Sequence, residues 1–215
     1  MKFDTKYLIR WGIPGWLMVF WLVYTYAVLK GINPLETSSS DLTNSITLLI
    51  SLTALGVPVG YVMHQLYFGV LWVLNLKSQK FDDFMEAVEE EKAIKPKDWE
   101  KFKSADKYFH LEYVWHYMLM EQEDEVKRPY LEGRYRHILG TIHGLGALFV
   151  SSVVSLLGSV FIAFYYSFGE TNVNIVLFVA GAVIQVAIFL ASVANYAYFS
   201  KNLRALQIKM LKRYL

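Results

Sequence analysis

The stretch that decides the fold is 138-ILGTIHGLGALFVSSVVSLLGSVFIAFYYSFG-169, which runs for roughly thirty residues without a charge. At about 1.5 Å per helical residue, it is longer than the hydrocarbon core of a bilayer, which is about 30 Å thick. Small residues recur in it every three or four positions, among them Gly140, Gly144, Ser155 and Ser159. In lipid, such residues let helices approach closely and bond through their hydroxyls. The stretch therefore predicts a transmembrane helix that packs against other helices.

Three further apolar runs provide those helices, at residues 11–29, 45–76 and 173–199. The first run resembles a signal peptide in position, but no small-x-small cleavage site follows it, which predicts a retained span. The 215 residues are 55% hydrophobic, as expected for one membrane domain. The fold class predicted is therefore all-α, a polytopic membrane protein with four transmembrane helices.

The second run has a distinctive helical face. Its small and polar residues fall on one side of the helix, and its middle contains a helix-kinking Gly56, Pro58 and Gly60. This side is expected to point at protein or water rather than at lipid. Its members are Thr47, Ser51, Ala54, Pro58, Tyr61, Gln65 and Gly69.

The sizeable polar region covers residues 77–137, with twelve Lys or Arg and fifteen Asp or Glu. Two helical patterns in it predict a helical hairpin between the second and third spans. The first pattern is Phe81, Phe84, Met85 and Val88, opposite Asp82, Asp83, Glu86 and Glu89. The second places Trp99, Phe102, Ala105, Phe109, Tyr113, His116 and Met120 along one side.

The predicted organisation has four parts: residues 1–76 with the first two spans, the hairpin at 77–137, the last two spans at 138–199, and a tail at 200–215. Lys and Arg are concentrated in the N-terminal segment, the hairpin and the tail, whereas the two opposite loops contain only Lys30. The positive-inside rule then places both termini and the hairpin in the cytoplasm, with the spans in the inner (plasma) membrane. The tail is basic and amphipathic, which suits an anionic membrane surface.

Composition and missing motifs restrict the chemistry. The chain has no cysteine, which excludes disulfides and thiolate metal sites. Its net charge is only +2, so its overall charge gives no general attraction to nucleic acid. It has no Walker loop, no Gly-x-Gly-x-x-Gly, no His-Glu-x-x-His and no Gly-x-Ser-x-Gly. We therefore expect no enzymatic activity and no cofactor.

Two histidines lie inside apolar runs, His64 in the second span and His143 in the third. Counted from the hairpin end, their depths differ by about 10 Å, which argues against a haem held by both. The expected role of each is a hydrogen bond inside the bundle, and the alternative is a pore-lining or proton-handling role.

Two polar groups in the hairpin are candidate ligand sites. His110, Glu112 and His116 have a spacing that can bind a metal, but the chain lacks the second Glu-x-x-His that a dimetal bundle needs. Lys127, Arg128, Arg134 and Arg136 precede the third span and suit lipid headgroups. The sharper alternative for these cations is an anionic nucleotide or oligonucleotide ligand at a pore mouth.

Four spans are too few to surround a wide pathway, so the polar stripes favour a symmetric homo-oligomer, for example a tetramer. The first hypothesis is a channel or pore gated through its cytoplasmic hairpin. The candidates for its lining, or for an interhelical polar network, are Gln65, Ser151, Ser155, Gln185 and Asn195.

The span number, the orientation and the compact cytoplasmic part resemble the small four-span membrane effectors of bacterial antiphage defence systems. The resemblance implies a protein that disturbs membrane integrity or ion balance when a cytoplasmic protein or nucleotide signal changes. It is one of architecture, so it transfers no site residue.

Two other function classes stay open. The first is a membrane anchor or scaffold that recruits a soluble partner protein; exposed apolar hairpin residues, such as Trp99 or Trp115, would favour it. The second is a membrane-embedded metal or redox enzyme that uses His64, His143 or the Glu112 and His116 pair.

Overall fold

In a computed structural model of the chain, the described residues are 5–31, 42–70, 98–167 and 174–214. They are mostly helical and include no β-strand, which confirms the all-α fold class. The helices are α1 (Thr5–Leu29), α2 (Leu42–Phe68), a 3₁₀ turn (Trp99–Lys101), α3 (Ser104–Met120), α4 (Lys127–Ser167) and α5 (Ile175–Tyr214).

Three of these helices are long and apolar enough to cross a membrane. They are Trp11–Leu29 within α1, Lys127–Tyr166 within α4 and Ile175–Arg213 within α5, with mean hydropathies of 1.5, 2.3 and 2.6. The second predicted span, 45–76, overlaps α2, a helix of 27 residues, and its end at 71–76 lies outside the described residues. The first helix of the predicted hairpin, with Phe81 to Val88, lies outside the described residues.

The chain divides into two compact units. The first, here called the bundle unit, consists of Met1–Tyr67 and His143–Asn195. The second, called the polar unit, consists of Phe68–Ile142 and Tyr196–Leu215. Helices α4 and α5 contribute residues to both.

Helix α1 contacts every other helix of the bundle unit. A Cβ atom added at Gly15 would lie 1.8 Å from the carbonyl oxygen of Gly56, so α1 and α2 touch through their backbones. The Thr25 and Ser159 hydroxyls join α1 to α4 at 2.8 Å, and the Tyr24 hydroxyl donates to the Leu177 carbonyl of α5 at 2.7 Å. Small residues and hydroxyls thus provide the packing, as is usual for helices in lipid.

The outer surface of the bundle unit is apolar. Leu157, Phe161, Val183 and Leu190 are all well over half exposed. A soluble domain rarely exposes such a continuous apolar surface, whereas lipid covers it at no cost. The exposure pattern therefore agrees with the membrane association that the helix lengths indicate.

The polar unit has a core of its own, formed by α3, the first turns of α4 and the end of α5. Its fully buried side chains include Trp99, Trp115, Met118 and Leu211. Leu211 belongs to the tail, which was expected to lie on a membrane surface as a separate segment. Instead, α5 continues without a break to Tyr214, and the apolar tail residues pack on protein.

Candidate functional site

Helix α3 carries an exposed apolar stripe, defined here as Phe109, Tyr113, His116 and Met120. Phe109 is 67% exposed, Tyr113 65% and Met120 61%, and the His116 side chain is 57% exposed. Their spacing of four, three and four positions places them on one face of the helix. Apolar side chains so exposed outside a membrane span mark an interaction surface more often than isolated exposed residues do.

The stripe lies opposite the face that packs into the polar unit. The inner face consists of Leu111, Val114, Trp115, Met118 and Leu119, each at most 5% exposed. Helix α3 is therefore apolar on two opposite faces, and its own domain covers one of them. A helix that is hydrophobic all round is normally buried all round.

The structure corrects part of the sequence analysis here. The predicted side does not hold together: Trp99 and Phe102 precede α3 and pack in the core, whereas Phe109, Tyr113 and Met120 are exposed. The inner face of α3 was not predicted. Trp99 and Trp115, named as residues whose exposure would favour a docking role, are 1% and 0% exposed. The missed signal was the run from Tyr108 to Met120, in which Glu112 is the one charged residue, so the helix has no polar face.

Acidic residues flank the stripe in the chain. Asp106 precedes it, and Glu121, Glu123 and Glu125 follow it, all exposed. The carboxylate of Glu121 raises the pKa of the neighbouring Tyr117 hydroxyl. Exposed basic residues flank it as well: Lys101 and Lys103 precede it, and Lys127 and Arg128 follow Glu125. The acidic residues are concentrated just after Met120, at one end of the stripe.

Asp124, in the same acidic run, has a structural role. Its Oδ1 accepts hydrogen bonds from the backbone N–H groups of Val126 and Lys127, both at 3.0 Å, and so caps the start of α4. These bonds, followed by the Lys127 ammonium group, lower the pKa of its carboxyl group to about 2. Asp124 is therefore committed to the helix, whereas Glu121, Glu123 and Glu125 stay on the surface.

A polar cluster connects α3 to α4 beside the stripe. The Tyr135 hydroxyl donates a hydrogen bond to Glu112 Oε1, and His116 Nε2 lies 3.6 Å from Glu112 Oε2. Tyr108 also bonds to Glu112; burial, and then the charge of Glu112, raises the pKa of its hydroxyl. The cluster fixes Glu112, and through it one ring of the stripe, His116.

The three candidate metal ligands, His110, Glu112 and His116, do not come together around one point. Glu112 and His116 are neighbours, but the ring of His110 packs against Trp99 and Tyr113, with centroids 5.9 and 6.5 Å away. Within the described ranges, no three His, Asp or Glu side chains come together as metal ligands would.

Two of the four candidate anion-binding cations have carboxylate partners. Lys127 Nζ lies 2.9 Å from Asp124 Oδ2, and Arg136 pairs with Glu132 one helical turn away. Arg128 and Arg134 are exposed on the same helix. The geometry therefore gives less support to a nucleotide site than to a surface of ordinary ion pairs.

The structure brings two of the five candidate pore residues together. Gln185 Nε2 donates to Ser155 Oγ at 2.7 Å, and both side chains are buried between α4 and α5. Ser151 is also buried, and its hydroxyl donates to the Pro14 carbonyl of α1. These three polar groups bond to helices of the same chain, so they do not face a pathway between copies.

The other two candidates lie on the surface of the bundle unit. Gln65 is exposed on α2, and Asn195 is exposed on α5, where its Nδ2 donates to the Ala191 carbonyl of its own helix at 2.9 Å. Neither belongs to the buried network.

The two histidines of the apolar runs occupy the interior of the bundle unit. His64 is 4% exposed on α2. His143, on α4, is half-buried and meets the Tyr67 ring edge-on, with centroids 5.9 Å apart. The Tyr67 ring also lies against Gly146, where an added Cβ atom would come within 2.0 Å of it.

No family model, no curated protein and no solved structure matches this chain.

Proposed function

We propose that the protein is a membrane-anchored docking protein that recruits a soluble partner through the exposed stripe of α3. The observation that carries the proposal is the exposure of Phe109, Tyr113 and Met120 on a helix whose opposite face already forms the core of the polar unit. Covering such a stripe removes apolar surface from water, which is the main favourable term in protein association. A few large side chains of this kind can dominate binding.

The acidic residues that follow Met120 indicate the chemistry of the partner. Glu121, Glu123 and Asp106 favour an amphipathic helix with lysine or arginine beside its apolar residues. Two other apolar segments of the chain are poor candidates for covering the stripe. The apolar residues of its basic tail, such as Leu211, pack into the core of the polar unit. The Phe81 to Val88 pattern is itself flanked by acidic residues, so it would meet like charges.

The proposed anchor has four spans, α2 being the fourth beside the three apolar helices. Its distribution of Lys and Arg places the polar unit and both termini in the cytoplasm, at the inner (plasma) membrane. A membrane-impermeant maleimide should then label a Lys209→Cys variant from the cytoplasmic side and a Lys30→Cys variant from the other, because the chain has no cysteine of its own.

The docking proposal is tested with a defined probe, a fluorescent helical peptide of leucine and lysine, titrated against the purified full-length protein in neutral detergent. A double variant, Phe109→Ser with Met120→Ser, should weaken peptide binding about tenfold or more, because it removes the large apolar side chains at both ends of the stripe. Glu121→Lys with Glu123→Lys should also weaken it and reduce its dependence on salt.

The matched control changes apolar residues that are equally exposed but lie off the stripe. Val126 and Tyr130 are 79% and 69% exposed, so Val126→Ser with Tyr130→Ser removes comparable surface. We expect this control to bind the peptide as the wild type does. Equal loss in both double variants would show only nonspecific adsorption, and the docking proposal would be wrong.

A second candidate function is the homo-oligomeric channel or pore-type effector, acting in antiphage defence as the architectural resemblance implies. One observation favours it: the polar face of α2, including Gln65, is exposed on the bundle unit. Because Ser151, Ser155 and Gln185 are buried and bonded within one chain, the candidates left for lining a pathway between copies are Gln65 on α2 and Asn195 on α5.

A further inference from the structure

The exposed stripe of α3 contains a histidine, His116. Histidine is the side chain that ordinarily changes its charge between about pH 5 and pH 8. His116 lies between Tyr113 and Met120 on the helix face, and its side chain is 57% exposed. A partner that covers the stripe therefore covers this ring, so the charge of the ring is part of the docking surface.

A carboxylate faces the ring from the same helix. Glu112 lies one turn before His116, and its Oε2 is 3.6 Å from His116 Nε2. The Glu112 side chain is only 19% exposed, and the hydroxyls of Tyr135 and Tyr108 bond to it. These bonds hold the carboxylate in place, so a protonated ring finds its counter-ion already in position.

Helix α4 packs against the ring through an aromatic side chain. The Tyr135 ring meets His116 edge-on, with centroids 6.3 Å apart. Of the charged residues near Tyr135 in the chain, Glu132 and Arg136 pair with each other, and Arg134 is exposed. Among the residues that the structure describes, Glu112 is therefore the charged group that pairs with His116.

We infer that protonation of His116 weakens docking at the stripe, so that a basic partner binds near neutral pH and is released as the pH falls. Two effects act in the same direction. The proton compensates the charge of Glu112, whose carboxylate otherwise attracts the lysine or arginine of the partner. It also adds a charge to a surface that docking must remove from water. The inference rests on the proposed docking function.

The leucine and lysine peptide, titrated against the purified full-length protein at about pH 7.5 and about pH 5.5, tests the inference. The charge of the peptide is constant in this range, because lysine ionises near pH 10.4. We expect the wild type to bind about three- to fivefold more weakly at the lower pH, the size of effect that one exposed charge interaction gives.

Two substitutions at the same position fix the charge of the side chain. His116→Gln should bind the peptide equally at both pH values. His116→Lys, which is charged throughout, should bind at both as weakly as the wild type does at the lower one. The matched control is His137→Gln, which removes an exposed histidine of α4 that lies off the stripe and should keep the response of the wild type.

The outcomes separate this inference from docking itself. Peptide binding by the wild type that does not change with pH, or a change that persists in His116→Gln, overturns the inference and leaves docking in place. No binding at either pH, by a protein of native size and helicity, removes docking and the inference with it.

Discussion

At the scale of single residues, Glu112 organises the contact between α3 and α4. It accepts a hydrogen bond from Tyr135, bonds to Tyr108 and lies 3.6 Å from the Nε2 of His116. A half-buried carboxylate is tolerated only where such donors replace water. The cluster therefore explains how a charged residue sits between the inner face of α3 and its exposed stripe.

Tyr108→Phe should lower the stability of the polar unit and change its response to alkali. Removing a hydrogen bond to a charged group costs about 1–3 kcal/mol. Burial raises the pKa of Tyr108, so the folded protein keeps a proton that the unfolded chain loses near pH 10. The stability that Tyr108 contributes is thus complete below about pH 10 and is lost as the pH rises further.

The measurement is denaturant unfolding of the full-length wild type and the variant, below and above a pH of about 10. The difference in unfolding free energy between the two proteins should be constant in the lower range and shrink in the higher one. A difference that grows with alkali would show that the folded state ionises Tyr108 more easily than the unfolded chain does.

At the scale of helices, glycine decides how closely α1 and α2 approach. A Cβ atom added at Gly15 or Gly60 would fall within 2 Å of a backbone carbonyl oxygen of the facing helix, a clash that no rotamer can relieve, and one added at Gly56 would meet the Trp16 ring. The same closeness allows dispersion contacts between backbones, which replace the hydrophobic effect as the attraction between helices in lipid. Helix α2 can therefore lie this close to α1 because the facing positions are glycines.

Gly60→Ala should force the two backbones apart and destabilise the bundle unit by about 1–3 kcal/mol, the usual cost of an overpacked contact. Gly144→Ala is the matched control, because no atom lies within 4 Å of the Cβ that it would add on α4. That control should be neutral or stabilising by about 0.5–1 kcal/mol, since alanine is the better helix former. Thermal unfolding in detergent measures both; similar midpoints for the two variants would contradict the close crossing.

At the scale of the whole molecule, the polar side chains of the apolar helices fall into two classes. Ser151, Ser155 and Gln185 are buried and bonded within one chain, so they hold its helices together. Gln65 and Asn195 lie on the surface of the bundle unit. Any pathway for ions between copies must therefore depend on the second class.

The channel candidate makes a corresponding prediction for ion flux through the purified protein in liposomes. Gln65→Leu should reduce flux several-fold, because it removes the polar side chain that would face water. Leu66→Ala, on the apolar flank of α2, should leave flux unchanged. No flux from the wild type, with and without a cytoplasmic extract, would remove this candidate and leave the docking function.

The sequence alone determined the all-α class, the membrane association and the apolar runs that lie within α1, α4 and α5, because long uncharged runs have few other stable states in a cell. It also grouped Phe109, Tyr113 and Met120 on one side of a helix, but it placed Trp99 and Phe102 there too, and these pack in the core. These features depend on local composition and periodicity, which are visible in the one-dimensional pattern. The unbroken course of α5 into a core was not visible, since a basic amphipathic tail also suits a membrane surface.

Only the tertiary structure decided which faces are covered. Helix α3 has apolar residues all round, so its pattern could not show that Trp115 packs inward while Phe109 stays exposed. Ser155 and Gln185 could equally have lined water or paired with each other, because their chemistry is the same in both cases. Whether they line water or pair depends on which helices are neighbours. Long-range contacts set this, such as the close approach of α1 and α2 at their glycines.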